Sequence, residues 1–124
     1  AAVGSTTGWV DPVTGLLVAA PPPLEPMPVM LVRGTADTQR PFNGSATVFS
    51  AADDLAYWAR GDACVPPPLV TSVGSVTAWE FNNCAGTSVA KLEGVAGLGH
   101  EWPETPGYNA SFRIVEFLLL FTRP

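Results

Sequence analysis

Val29-Met30-Leu31-Val32 is an unbroken apolar run bounded by Pro28 on one side and Gly34 on the other. A strand with one face in water alternates apolar and polar side chains, so a run without alternation is expected for a central strand covered on both faces, as in parallel sheets. The rest of the chain has to be arranged around such a strand. The turn Gly34-Thr35-Ala36-Asp37 follows at once. Ser50 then stands where it can cap a helix: Asp53 and Asp54 complement the positive end of the helix dipole, Leu55, Tyr57 and Trp58 supply an apolar side, and Gly61 ends the element. Strand, loop and helix make a βα unit.

The stretch before this unit, through Pro28, is rich in glycine, proline and small residues and keeps no period of either kind, so it reads as a long surface excursion. Its opening Ala1-Ala2-Val3-Gly4 has the character of the tail of a buried strand. After Pro66-Pro67-Pro68, Val76 to Phe81 and Val89 to Leu92 read as strands separated by a turn around Asn82, Asn83 and Gly86, either as a hairpin or as two successive sheet strands. Asn109 or Ser111 then caps a helix over Phe112 to Phe121 that is apolar nearly all round apart from Arg113 and Glu116. Such a helix needs cover on several sides, and 124 residues with 13 prolines are poorly placed to supply it. A partner for that surface is expected.

With 47% hydrophobic and 14% charged residues the chain has enough apolar material for one core. Its net charge is -5 and its six lysines and arginines are scattered singly, which argues against a nucleic-acid partner. Ile114 to Phe121, the longest apolar candidate, is short and interrupted by Glu116, so no membrane partner is expected and the protein is read as soluble. The start lacks the pattern of a signal peptide, and the missing initiator Met suggests that something upstream was removed. Cys64 and Cys84 are too few and too far apart for a zinc site; a single disulfide is the better reading, with two buried thiols as the alternative. Asn43-Gly44-Ser45 and Asn109-Ala110-Ser111 are glycosylation sequons at Asn43 and Asn109, compatible with export.

His100, the only histidine, lies in Gly97-Leu98-Gly99-His100-Glu101-Trp102-Pro103, a glycine-loosened loop at a strand end. Histidine is the side chain best suited to shuttle a proton near neutral pH. Asp37 follows a buried strand, at the edge where open α/β sheets place their sites, and a carboxylate there can orient a histidine; the plainer alternative is that it only makes the turn. In α/β-hydrolases the triad runs in chain order serine, acid, histidine, and Asp37 and His100 fit the last two places. No Gly-x-Ser-x-Gly exists: Ser5 and Ser75 lack the glycine spacing and read as turn residues, so the nucleophile is expected upstream of Ala1. Trp102 is either a substrate-facing wall or a packed aromatic. Trp9 and Trp58 are read as packing residues. Glu25, Glu80, Glu93 and Glu104 show no pairing that suggests a glycosidase dyad or a metal site and are read as solvated surface carboxylates.

Taken in order, Pro28 to Asp37, Tyr57-Trp58, Cys64, Cys84 and Gly97 to Pro103 make the chain, from about Val29 to Phe121, resemble the polyhydroxybutyrate depolymerase and feruloyl or acetylxylan esterase family of α/β-hydrolases. The resemblance implies an α/β fold: the C-terminal portion of an α/β-hydrolase, with parallel sheet strands and flanking helices, incomplete without an N-terminal half. Residues 1–124 would form part of one domain, 1–28 irregular and loop-rich, 29–124 bearing the acid and the histidine. It further implies a secreted carboxylic-ester hydrolase without cofactors, in which Asp37 orients His100, His100 activates a serine on the N-terminal half, Trp102 lines the ester cleft, and Cys64 and Cys84 form a disulfide near the active-site face. Arg33, where a histidine is common, and Thr38-Gln39-Arg40-Pro41-Phe42 depart from the family pattern. The competing expectation is a non-catalytic binding protein derived from that fold.

Overall fold

The computed structural model describes residues 2–3 and 7–121. In chain order the elements are β1 (Ala2–Val3), β2 (Gly8–Val10), β3 (Leu17–Ala19), β4 (Val29–Gly34), α1 (Ala51–Gly61), β5 (Leu69–Val73), β6 (Val76–Phe81), β7 (Ala90–Val95), β8 (Glu104–Thr105), β9 (Tyr108–Asn109) and α2 (Ala110–Leu119). Five strands form one sheet in the order β1-β4-β7-β6-β5, and β2-β3 and β8-β9 are separate two-stranded ribbons.

β4 is the expected central strand, buried along its whole length. Its period of two explains why the run has no alternation: Val29 and Leu31 join Leu55, Ala59 and Leu92 in a core on the α1 side. Met30 and Val32 join Leu98, Tyr108 and Phe117 on the α2 side. Ser50 caps α1 as expected, its Oγ accepting from the Asp53 N–H at 3.0 Å.

The expected parallel sheet flanked by helices is corrected by the strand pairing. β1, β4 and β7 are parallel, but β6 runs antiparallel to β7 and β5 antiparallel to β6, and among the described residues only two helices accompany a largely β structure. What forms is a small β-rich domain with a mixed sheet, not a portion of a parallel α/β-hydrolase sheet. The connections decide this. A parallel return needs a crossover of roughly a dozen residues or more. Residues 82–89 are too few for that, so Val76–Phe81 and Ala90–Val95 fold back on each other. Gly74, at φ +58, allows the still tighter turn from β5 to β6.

Residues 7–28 are more ordered than a surface excursion. Asp11 Oδ1 accepts from the N–H groups of Val13 and Thr14 at 2.7 and 2.9 Å, and Gly15 takes φ +70, closing a hairpin between β2 and β3. The following segment is pinned to α1 by Tyr57 Oη donating to the Pro21 carbonyl at 2.6 Å and by the Met27 N–H donating to Asp62 at 3.0 Å. Of the opening residues, Ala2 and Val3 form a strand beside β4 as expected, while Ala1 and Gly4 lie outside the described residues.

α2 starts at Ala110, with Asn109 as its cap accepting from the Phe112 N–H at 2.9 Å. Only Ala110 and Phe117 of its residues are buried, and Phe112, Val115, Leu118 and Leu119 stay exposed. Among the described helices none is long and apolar enough to cross a membrane. Cys64 and Cys84 form a disulfide.

Candidate active site

β4 and β7 end side by side, with Gly34 opposite Val95. The chains leaving them are joined by backbone bonds: Thr35 N–H to the Val95 carbonyl at 3.0 Å and Ala36 N–H to the Leu98 carbonyl at 2.9 Å. The Gly97 N–H donates to Thr35 Oγ1 at 2.8 Å, with Gly97 at φ +76. A side chain at Gly34 would collide with the Leu98 carbonyl, so glycine there is what lets the 97–100 loop lie against the strand end. Two residues 63 apart in sequence are thereby brought together: His100 Nδ1 and Asp37 Oδ2 are separated by 2.8 Å.

The carboxylate is held more firmly than the imidazole. Asp37 is buried, and its Oδ1 accepts from the Gln39 N–H at 2.8 Å and the Arg40 N–H at 2.7 Å. Burial pushes the Asp37 carboxyl up, but the Arg40 N–H, the His100 ring and the Gln39 N–H together outweigh it and hold the group below the usual carboxylate range. The His100 side chain is 35% exposed. With Nδ1 committed to Asp37, Nε2 is the ring nitrogen available to a reacting group.

Both residues line a cavity of about 210 Å³, together with Val32, Leu98, Glu101 and Trp102. Trp102 is 53% exposed, and its indole N–H donates to Ser111 Oγ at 3.1 Å, so the ring lies at the surface beside His100. Among the described residues no serine lines this cavity. Ser75 lies in the exposed turn between β5 and β6, and Ser5 lies outside the described residues. No group of three or more His, Cys, Asp or Glu side chains suited to a metal ion occurs among the described residues.

No protein-family model matches the chain, and neither does any curated protein.

Several residues sit elsewhere than expected. The disulfide joins the segment after α1 to the loop between β6 and β7, where the Val65 N–H donates to the Asn83 carbonyl at 2.8 Å. That is the Phe81–Ala90 end of the sheet, opposite the Gly34–Val95 end that carries Asp37 and His100. Asn43 and Asn109 are both exposed, and Asn109 also caps α2 with its Oδ1. Glu93 is not a solvated surface carboxylate but is 0% exposed, bridged by Arg113 at 3.1 and 2.7 Å and by Tyr108 Oη at 3.3 Å. Burial, first, and Glu93 beside it push the Tyr108 hydroxyl up. Arg33, read only as a departure from a family pattern, is buried and bonded both to α1 and to the loop after Asp37. The available signal was position: a charged residue within a strand buried on both faces has to find its partners inside.

Proposed function

We propose that Asp37 and His100 are the acid and base of a Ser-His-Asp system that hydrolyses carboxylic esters, with the serine supplied by a polypeptide segment beyond these 124 residues. The observation that carries the reading is the 2.8 Å contact between His100 Nδ1 and the buried, doubly anchored Asp37 carboxylate. An aspartate in that position fixes the imidazole with its proton on Nδ1, leaves Nε2 basic toward a nucleophile, and stabilises the imidazolium once the proton has been taken. His100 would accept the serine proton as the serine attacks the ester carbonyl, and return it to the leaving alcohol. Trp102, beside the histidine and half exposed, would line the ester cleft.

Secretion belongs to the same reading: the Cys64–Cys84 disulfide needs an oxidising compartment to form. The resemblance to polyhydroxybutyrate depolymerases and feruloyl or acetylxylan esterases supports the substrate class, and the N-terminal half of the same enzyme is the proposed source of the serine.

The test is hydrolysis of a p-nitrophenyl ester by the natural protein that contains this chain, combined with fluorophosphonate labelling. Asp37→Asn is expected to lower the rate by about 10⁴-fold and His100→Ala by about 10⁶-fold, and the label is expected on a serine outside residues 1–124. A label on Ser111 would overturn the proposed source of the nucleophile. Unchanged hydrolysis in His100→Ala would sink the catalytic reading and leave the non-catalytic binding protein.

A further inference from the structure

In β4, four residues before Asp37, lies a buried charge that the proton-transfer reading does not use. Arg33 is 2% exposed and is bonded to both α1 and the loop after Asp37. Its Nη1 donates to Asp54 Oδ2 of α1 at 2.7 Å, and its Nη2 donates to the carbonyls of Arg40 and Pro41 at 3.1 and 3.0 Å. The backbone of Arg40 is therefore held at both ends: its carbonyl accepts from Arg33, and its N–H donates to Asp37 Oδ1 at 2.7 Å. Asp54 is fixed in turn by the Thr7 N–H at 3.0 Å and the Thr7 hydroxyl at 2.7 Å.

We propose that Arg33 is a positioning residue for the Asp37–His100 pair, clamping the 38–41 loop to α1 so that its backbone amides hold the Asp37 carboxylate in the orientation that fixes the His100 tautomer. The proposal rests on reading that pair as acid and base, but its test does not depend on activity. Only a guanidinium suits the task, since it offers five donors in a planar fork and stays charged when buried, whereas an ammonium is a single point of charge. A buried ion pair is also a poor choice for filling core space, because apolar residues of similar volume serve stability as well or better. Its placement is explained when the Arg40 carbonyl it holds belongs to the same residue whose N–H holds the carboxylate.

Two variants test this. Arg33→Lys keeps a cation for Asp54 but cannot also span the two carbonyls. Arg33→Met combined with Asp54→Leu removes both charges together, so that neither is left buried and alone. His100 is the sole histidine, so ¹⁵N NMR of the intact chain reports its tautomer without ambiguity. The wild type is expected to hold the Nδ1–H form. In both folded variants the Nδ1–H form should give way to a mixture of tautomers, and the Arg40 amide should exchange at least about tenfold faster as its loop opens. In the ester-hydrolysing protein the same variants should lower kcat by about 10- to 100-fold with KM little changed, Arg33→Lys the less severe of the two. A folded double variant that keeps the Nδ1–H tautomer and a protected Arg40 amide would overturn the proposal, as would outright loss of the fold in both variants, which would make Arg33 a scaffold residue. Failure of the esterase reading would show separately, as hydrolysis indifferent to His100→Ala with the tautomer result intact.

Discussion

Asp37 sits under opposed influences, and their balance can be measured through stability. Burial favours its neutral form, while the amides of Arg40 and Gln39 and the His100 ring favour the carboxylate and win, so the folded-state pKa lies below the unfolded one. A depressed acid stabilises the fold above its unfolded pKa, and that contribution is lost as pH falls through the folded value. Asp37→Asn should therefore flatten the decline of the urea midpoint between about pH 5 and pH 3 relative to wild type; parallel curves would contradict the assignment. The comparison with wild type matters because Asp62, pushed up by burial, contributes with the opposite sign. At this scale the sequence was informative about which residues to watch: a lone histidine among glycines and an aspartate after a buried strand. It was silent on Arg33 and misleading on Glu93, because a charged side chain gives no local sign that its partners lie 21 residues away, as Asp54 does, or 20 residues away, as Arg113 does.

Elements whose signals are local were legible. α1 carries its own instructions: a serine cap, acidic residues in the first turn and an apolar side. Ser50→Ala should cost about 1 kcal/mol in denaturant unfolding with the m-value unchanged; no loss would mean that packing of Leu55 and Ala59 alone holds the helix. Elements whose signals are weak or shared were not legible. The β2-β3 hairpin was missed although Asp11, Pro12 and Gly15 supply the turn, because three-residue strands are too short to display a period. β5, Leu69–Val73, was missed for a different reason: as an edge strand exposed at every position it has no buried face to impose alternation. α2 was placed within two residues by its cap, but its composition did not say which side chains the core would cover.

At the scale of the whole molecule, the disulfide and the Asp37–His100 pair brace opposite ends of the sheet. Replacing both Cys64 and Cys84 by serine should lower unfolding stability by about 3 kcal/mol through loss of loop constraint in the unfolded chain. The folded fraction should nevertheless keep the His100 tautomer of the wild type; a changed tautomer would mean that the two ends are coupled through β4 and β7. The sequence by itself determined the central strand and the capped helix, since each follows from the chemistry of residues close together in the chain, and it singled out Cys64 with Cys84 and Asp37 with His100 as candidate pairs. Tertiary structure alone decided the direction of β5 and β6, the end of the sheet at which the disulfide closes, and the burial of Arg33 and Glu93. Strand direction follows from whether a connection is long enough to cross over, and a buried charge is tolerated only where distant elements deliver its partner. Neither condition is written in any short stretch of sequence.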